Sequence, residues 1–392
     1  MTHATDAEII AAARHLAGAI RAAAPEAERL GRTPPDLAAK FTRAGIYQMF
    51  LPRAMGGPEY DPLTTFQVIE EISKADGAIG WNAMIANAMA LNMGRLPTEA
   101  GREIAGSPAD YRAAGSARPG GPVTGRCWPV PGGWRLSGQW NFASGIHNAR
   151  WAYCTAVTMD GDQPVMNAAG KPVMRTLWVP CAEIEILDTW HVMGLQGTGS
   201  TDFVVKDVFV PAHRTVSSEQ PAMQTTPLYH HRSRFVFIWT PSAGNVLGIA
   251  RGAIDALAEL ARETTTLNTV PLRERVAVQT QVGQADAMVS AGRAHVFAAV
   301  GQVWSRVCAG EEPTDSEIAQ GRIAITHAMR EAVHAVDKVF HAAGTLAIYP
   351  RFRLERAFRD IHVAIQHGAA LPSYYESNGK VVLGLRPDDV GW

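Results

Sequence analysis

Thirteen histidines and four cysteines are the side chains best equipped here to hold a metal or move a proton, and their spacing removes most of those roles. Cys127, Cys154, Cys181 and Cys308 lie far apart with no C-x-x-C pair, which argues against both a zinc site and a disulfide framework. His327, His334 and His341 recur at a seven-residue interval on one predicted helix. Two turns separate neighbours by about 10 Å, so the three cannot converge on one ion. A metal-binding pair on a helix sits at i, i+4 beside a carboxylate. His230–His231 falls in a polar stretch, and no metal is expected. Gly194-Leu195-Gln196-Gly197-Thr198-Gly199 has the glycines of a nucleotide loop at the wrong spacing, and a strand follows where a helix should. It reads as a loop between two strands. No G-x-S-x-G elbow occurs, so a hydrolase of that class has no support. Trp81, Met84, Met89 and Met93 either pack a core or line an apolar substrate pocket, with Asn82, Asn87 and Asn92 as the polar groups of that segment.

The elements that would position these residues fall into three blocks. Residues 5–50 are rich in Ala, Leu, Ile and Glu at helical spacing, with Asp6 as a candidate cap and Pro34–Pro35 as a break. Residues 62–94 read as further helix, with Phe66, Ile69 and Ile72 on one buried face. From Tyr111 to Pro211 the chain turns to Gly, Pro and six of its ten tryptophans, with short apolar runs at Trp151–Val157, Leu177–Val179 and Phe203–Val210. That pattern predicts short antiparallel strands in a sandwich or barrel. A polar connector spans 212–233, and helical periodicity then returns: Val246, Ala250, Ala253, Leu257 and Leu260 mark one face, Val333, Val336 and Phe340 another. A loop at 311–315 ends in a helix cap. The expected organisation is a helical domain over 1–108, a β domain over 109–215 and a helical domain over 216–392.

The 392 residues are 47% hydrophobic, enough to bury a large core, and carry a net charge of −1. A near-neutral chain without a basic stripe offers no electrostatic case for nucleic acid or an anionic membrane. No apolar run is long enough to span a bilayer, and the first residues lack a signal core. A cytoplasmic protein is expected.

Three segments then resemble the acyl-CoA dehydrogenase superfamily. Leu136-Ser137-Gly138-Gln139-Trp140-Asn141-Phe142-Ala143-Ser144-Gly145 is similar to the family stretch that ends in tryptophan-isoleucine-threonine, placing Phe142 on the tryptophan and Ser144 on the threonine. Met193-Gly194-Leu195-Gln196-Gly197-Thr198-Gly199 resembles the family's M-G-x-R-G-S/T run, with Gln196 in place of arginine. Glu355-Arg356-Ala357-Phe358-Arg359-Asp360 resembles its arginine-aspartate helix. The resemblance implies an α+β multidomain fold: an N-terminal helical domain, a middle antiparallel β domain and a C-terminal four-helix bundle. It also implies a flavin bordered by the ring of Phe142, with Ala143 and Ser116 beside it and the Ser144 hydroxyl near N5.

Departures from the family pattern bear on the chemistry. Dehydrogenases of this family abstract an α-proton with a carboxylate, yet no Asp or Glu lies between Asp360 and Glu376, nor from Arg234 to Gly252. Without a base that reaction fails. Thr264-Thr265-Thr266-Leu267-Asn268 stands where the family has its FAD-pyrophosphate arginine turn, and His341-Ala342-Ala343-Gly344-Thr345 replaces its glutamine and double glycine. These losses point to FMN ahead of FAD. Together with Ile365-Gln366-His367 they resemble the two-component flavin monooxygenases built on this fold. The resemblance implies reduced flavin delivered by a separate reductase, molecular oxygen as co-substrate, and a C4a-hydroperoxide that oxygenates an apolar or aromatic small molecule. It implies catalytic roles for His367 and Ser144, a substrate pocket including Trp81, Met84 and Trp239, and a homotetramer. Imidazole titrates near neutral pH, which suits His367 to managing the proton of that adduct. Two alternatives stay open: a dehydrogenase or oxidase that keeps FAD permanently, and a catalytically silent assembly partner. Tightly bound yellow FAD on purification marks the first, and failure to bind any flavin marks the second.

Overall fold

A computed structural model describes residues 3–106, 111–116, 125–263 and 270–387. Helix α1 (Asp6–Leu30) is capped by Thr5, whose hydroxyl and Glu8 form a reciprocal capping box. Asp6, expected to be the cap, sits in the first turn, where its charge complements the helix dipole. Helix α2 (Pro35–Arg43) follows the proline pair. The stretch 62–94 resolves into α3 (Pro62–Ala75) and α4 (Gly77–Asn92), separated at Asp76, whose extended backbone and side chain cap α4. All of α4 except Ile85 is buried, so it runs through the middle of the molecule and not along its surface. Helix α5 (Thr98–Ala105) closes this block.

The strands are β1 (Ala113–Ser116), β2 (Arg126–Val130), β3 (Gly133–Trp140), β4 (Trp151–Asp160), β5 (Gln163–Pro164), β6 (Met174–Pro180), β7 (Glu185–Ile186), β8 (Phe203–Pro211) and β9 (Thr215–Ser217). They form one sheet in the order β7-β8-β3-β2-β4-β6-β9, with β1 and β5 also on β4. The expectation of a purely antiparallel arrangement is corrected at two places, because β1 and β2 both pair with β4 in parallel. They lie end to end along one edge of β4, at Trp151–Cys154 and then Val157–Thr158, so no helical crossover is needed. Strand β9 occupies the start of the polar connector, since pairing to the edge of β6 uses backbone and not apolar side chains. Trp140 stacks on Phe203 at 5.3 Å and donates its indole N–H to Thr155 O at 2.8 Å, anchoring the sheet core.

Helices α6 (Arg234–Glu263), α7 (Val276–Cys308), α8 (Asp315–Ala343) and α9 (Arg353–Ala364) pack as a bundle, with α10 (Ser373–Val382) against α8. Thr314 caps α8 through a capping box with Glu317. Gly244, Gly248 and Gly252 line the face of α6 that meets α3. A Cβ there would stand 2.6, 2.5 and 2.5 Å from the carbonyl oxygens of Phe66, Glu70 and Lys74. Only bare backbone lets the two helices approach this closely, and that contact fixes the bundle against the N-terminal helices.

Candidate functional site

After β3 the chain turns sharply through 141–145 and is pinned to the loop that precedes β8. Ala143 N–H donates to Thr201 O at 3.1 Å and Gly145 N–H to Thr198 O at 2.9 Å. Phe142, just before them, adopts φ +60, a left-handed conformation costly for a bulky side chain. The strain turns its ring outward, 54% exposed and edge-on to Trp190 at 6.1 Å. Ala143 is buried beneath it. The buried hydroxyl of Ser144 receives the indole N–H of Trp81 at 3.1 Å and lies 2.6 Å from Ser200 Oγ. Ser200 Oγ in turn lies 2.6 Å from Thr198 Oγ1, which donates to Leu195 O at 2.7 Å.

Trp81 comes from the buried helix α4, and its indole also meets the imidazole of His367 edge-on, with ring centres 5.2 Å apart. His367 follows α9 and caps the short helical turn Gly368–Ala370, its Nδ1 accepting Ala369 N–H at 3.3 Å. The half-buried imidazole and the buried hydroxyl are thus joined through one indole.

The same α9 holds the loop below Ser144. Asp360 Oδ1 accepts Leu195 N–H at 2.6 Å, and Arg359 donates to Met193 O at 2.9 Å. A Cβ on Gly194 would stand 2.2 Å from Arg359 O, so the glycine is required for this approach. Leu195 itself sits at φ +51. The second and third motif segments therefore touch each other. Arg356 and Arg359 both pair with Glu28 of α1, at 3.0 and 2.6 Å. Burial, and then the carboxylate of Asp76, push the Asp360 carboxyl up to about 8.

Of the remaining predicted residues, Ser116 ends β1 in register with Cys154, buried. Met84 lies one turn along α4 from Trp81, with Ser242 of α6 donating to its sulfur at 3.6 Å. Trp239 sits on α6 between Phe235 and Tyr374, at 5.1 and 5.2 Å, apart from the Trp81 junction. The turn 341–345 ends α8, with Gly344 at φ +60; 264–268 lies outside the described residues. His327 meets Tyr375 Oη at 3.0 Å, and His334 pairs with Glu331.

Sequence reasoning missed Ser200, Thr198 and the Asp360–Leu195 bond. Hydroxyl residues alternating at 198 and 200 in a glycine-rich loop were the available signal. Three features here are compatible with a flat aromatic heterocycle: Phe142 offers an exposed ring, the Ser144 hydroxyl lies two residues on, and among the described residues Asn141 Oδ1 is buried without a hydrogen-bond partner.

The acyl-CoA dehydrogenase N-terminal domain family matches residues 5–103 and the C-terminal domain family residues 241–372. The chain is 30% identical to a pigment production hydroxylase of Rhodococcus erythropolis, over 93% of each protein. It is 31% identical to the oxygenase component of an FADH(2)-dependent resorcinol hydroxylase of Rhizobium sp., over 70% of this chain and 68% of that one. Among solved structures it is similar to the 3-HSA hydroxylase of Rhodococcus sp. RHA1, with a TM-score of 0.88 and 26% identity over 98% and 99% of the two chains.

Proposed function

Because the chain belongs to the acyl-CoA dehydrogenase superfamily and, within it, to the flavin-dependent monooxygenases, we propose that it is the oxygenase component of a two-component system acting on an apolar or aromatic small molecule. Reduced flavin, supplied by a separate reductase, brings the two electrons that activate molecular oxygen. The residues of this chain do the rest. Phe142 and Ala143 would form the platform that holds the ring system, with the Ser144 hydroxyl and Ser116 of β1 as the polar groups that would bind it. His367 would hold and return a proton during the reaction. Trp81 and Met84 present an apolar wall on which an aromatic substrate packs, while Trp239, between Phe235 and Tyr374, is a separate candidate contact on α6.

The observation that carries this reading is the Ser144–Trp81–His367 junction in a chain with no carboxylate at 361–375 or 234–252, the two stretches where a dehydrogenase of this superfamily keeps its base. An imidazole can take up and return a proton near neutral pH, whereas removal of the α-proton of a thioester needs a positioned carboxylate. The altered turn at 341–345 favours FMN, and the Rhizobium relative is FADH(2)-dependent by name, so both reduced flavins belong in the test. The exposed apolar side chains Ile348, Tyr349, Val382, Leu383 and Leu385 are candidate contacts for the homotetramer that the resemblance implies. Among the described residues no helix is long and apolar enough to cross a membrane, in keeping with a cytoplasmic enzyme.

Anaerobic titration with FMNH2 and FADH2, and with both oxidised flavins, tests the assignment. Reduced flavin should bind more tightly than its oxidised form, and the complex should oxygenate a phenolic or other aromatic compound when mixed with oxygen. Tighter binding of oxidised FAD, with no oxygenation, would reject it.

A further inference from the structure

We propose that Thr198 and Ser200 are positioning residues that make the Ser144 hydroxyl a pure hydrogen-bond acceptor, and thereby select reduced flavin over oxidised flavin. The inference rests on the reading that Ser144 faces flavin N5. It follows from counting protons along the chain of hydroxyls. Each serine or threonine hydroxyl has one proton to give and two lone pairs to offer. Thr198 Oγ1 gives its proton to Leu195 O at 2.7 Å. That carbonyl also receives Thr198 N–H at 3.0 Å and Trp190 Nε1–H at 3.1 Å, and the hydroxyl contact is the shortest of the three. With its proton committed, Thr198 Oγ1 can only accept from Ser200 across 2.6 Å. Ser200 has then given its own proton and can only accept from Ser144 across the next 2.6 Å. Ser144 therefore points its proton inward at Ser200, and Trp81 Nε1–H fills one of its two lone pairs. What remains is one lone pair and no donor.

The two redox states of flavin differ at the atom this lone pair would meet. Reduced flavin carries N–H at N5 and donates; oxidised flavin has a bare N5 that only accepts. An acceptor-only Ser144 completes a hydrogen bond with the first and faces the second lone pair to lone pair. Thr198 and Ser200 are buried, and among the described residues their hydroxyls bond to each other, to Ser144 and to Leu195 O, so bulk water does not reset the order. The selection reaches the flavin through Ser144 alone, without either residue touching it. A component that receives reduced flavin from a reductase and must release the oxidised form after turnover gains both steps from one fixed hydroxyl.

The test compares dissociation constants for oxidised and reduced flavin, FMN and FAD each, in the full-length protein under anaerobic conditions. The wild type should prefer the reduced form by at least about tenfold, the consequence of one hydrogen bond made or missing at a buried site. In Ser200→Ala the Ser144 proton loses its acceptor and turns outward, so oxidised flavin should bind about tenfold more tightly than to wild type. Thr198→Val should act in the same direction, because Ser200 then gives its proton to Ser144. Thr198→Ser should restore the wild-type ratio. A gain of affinity for one redox state is not what structural damage produces. If both Ser200→Ala and Thr198→Val are folded and keep the wild-type ratio, the relay is wrong while the monooxygenase reading stands. If the wild type itself binds both redox states equally, or binds neither, the underlying reading fails and the relay with it.

Discussion

Trp81 and Ser144, 63 positions apart, are joined by an indole N–H that donates to the serine hydroxyl at 3.1 Å, and the same indole carries the imidazole of His367 against it. The ring and the N–H therefore have separable roles. Trp81→Phe keeps an aromatic edge for His367 and removes the donor, so it should cost about 1 kcal/mol and leave the fold intact. Trp81→Ala removes both and opens a cavity, for which about 3–5 kcal/mol is expected. Chemical denaturation of the two variants measures the difference; equal losses would mean that the hydrogen bond, and not ring packing, holds the junction.

Ser144→Ala deletes the group that both Trp81 and Ser200 contact. Losing a hydrogen bond to a buried flavin costs about 1–3 kcal/mol. Reduced-flavin affinity should fall roughly tenfold or more, and hydrogen peroxide should be released in place of oxygenated product. Unchanged affinity together with unchanged peroxide yield would make Ser144 a structural hydroxyl only.

His367 has two functions that can be separated, a cap and a candidate proton carrier. Its Nδ1 accepts Ala369 N–H, so His367→Ala should lose about 1 kcal/mol from the missing cap in addition to about 10²-fold in oxygenation rate. Asparagine caps well and cannot transfer the proton. His367→Asn should therefore keep wild-type stability and still show the full kinetic defect. A normal rate in His367→Asn would move the proton chemistry elsewhere.

Asp360 links the site to pH. Its carboxyl is raised to about 8, first by burial and then by Asp76, so the folded protein holds a proton that the unfolded chain releases in the ordinary carboxylate range. The folded state binds more protons between these limits, and stability therefore falls as pH rises through this window. Asp360→Asn keeps the acceptor for Leu195 N–H and cannot ionise. Its unfolding free energy should vary less with pH over this window than that of the wild type. Parallel pH profiles for the two proteins would show that Asp360 does not titrate there.

Much of the fold was legible because its signals are local. Helical periodicity placed Phe66, Ile69 and Ile72 in the core, and Val246 to Leu260 likewise, since a 3.6-residue repeat is enough to define a buried face. The three motif segments gave the superfamily, and the absence of carboxylates at 361–375 and 234–252 is a fact of sequence alone. The cap of α1 at Thr5 and the parallel pairing of β1 and β2 with β4 were not legible. A cap depends on which of two adjacent polar residues reaches the backbone, and strand direction depends on where the chain returns along an edge.

The sequence by itself determined which candidate side chains are present: one serine in a turn after a strand, one histidine after a helix, and no carboxylate at 361–375 or 234–252. Tertiary structure alone decided how they are poised. Asp360 reaches Leu195 across 165 positions and Ser200 reaches Ser144 across 56, and the proposed direction of the hydroxyl protons depends on those contacts. A residue's identity fixes how many protons it can give. The direction in which it gives them belongs to its neighbours, and these are brought together only when the helices and the sheet close on one another.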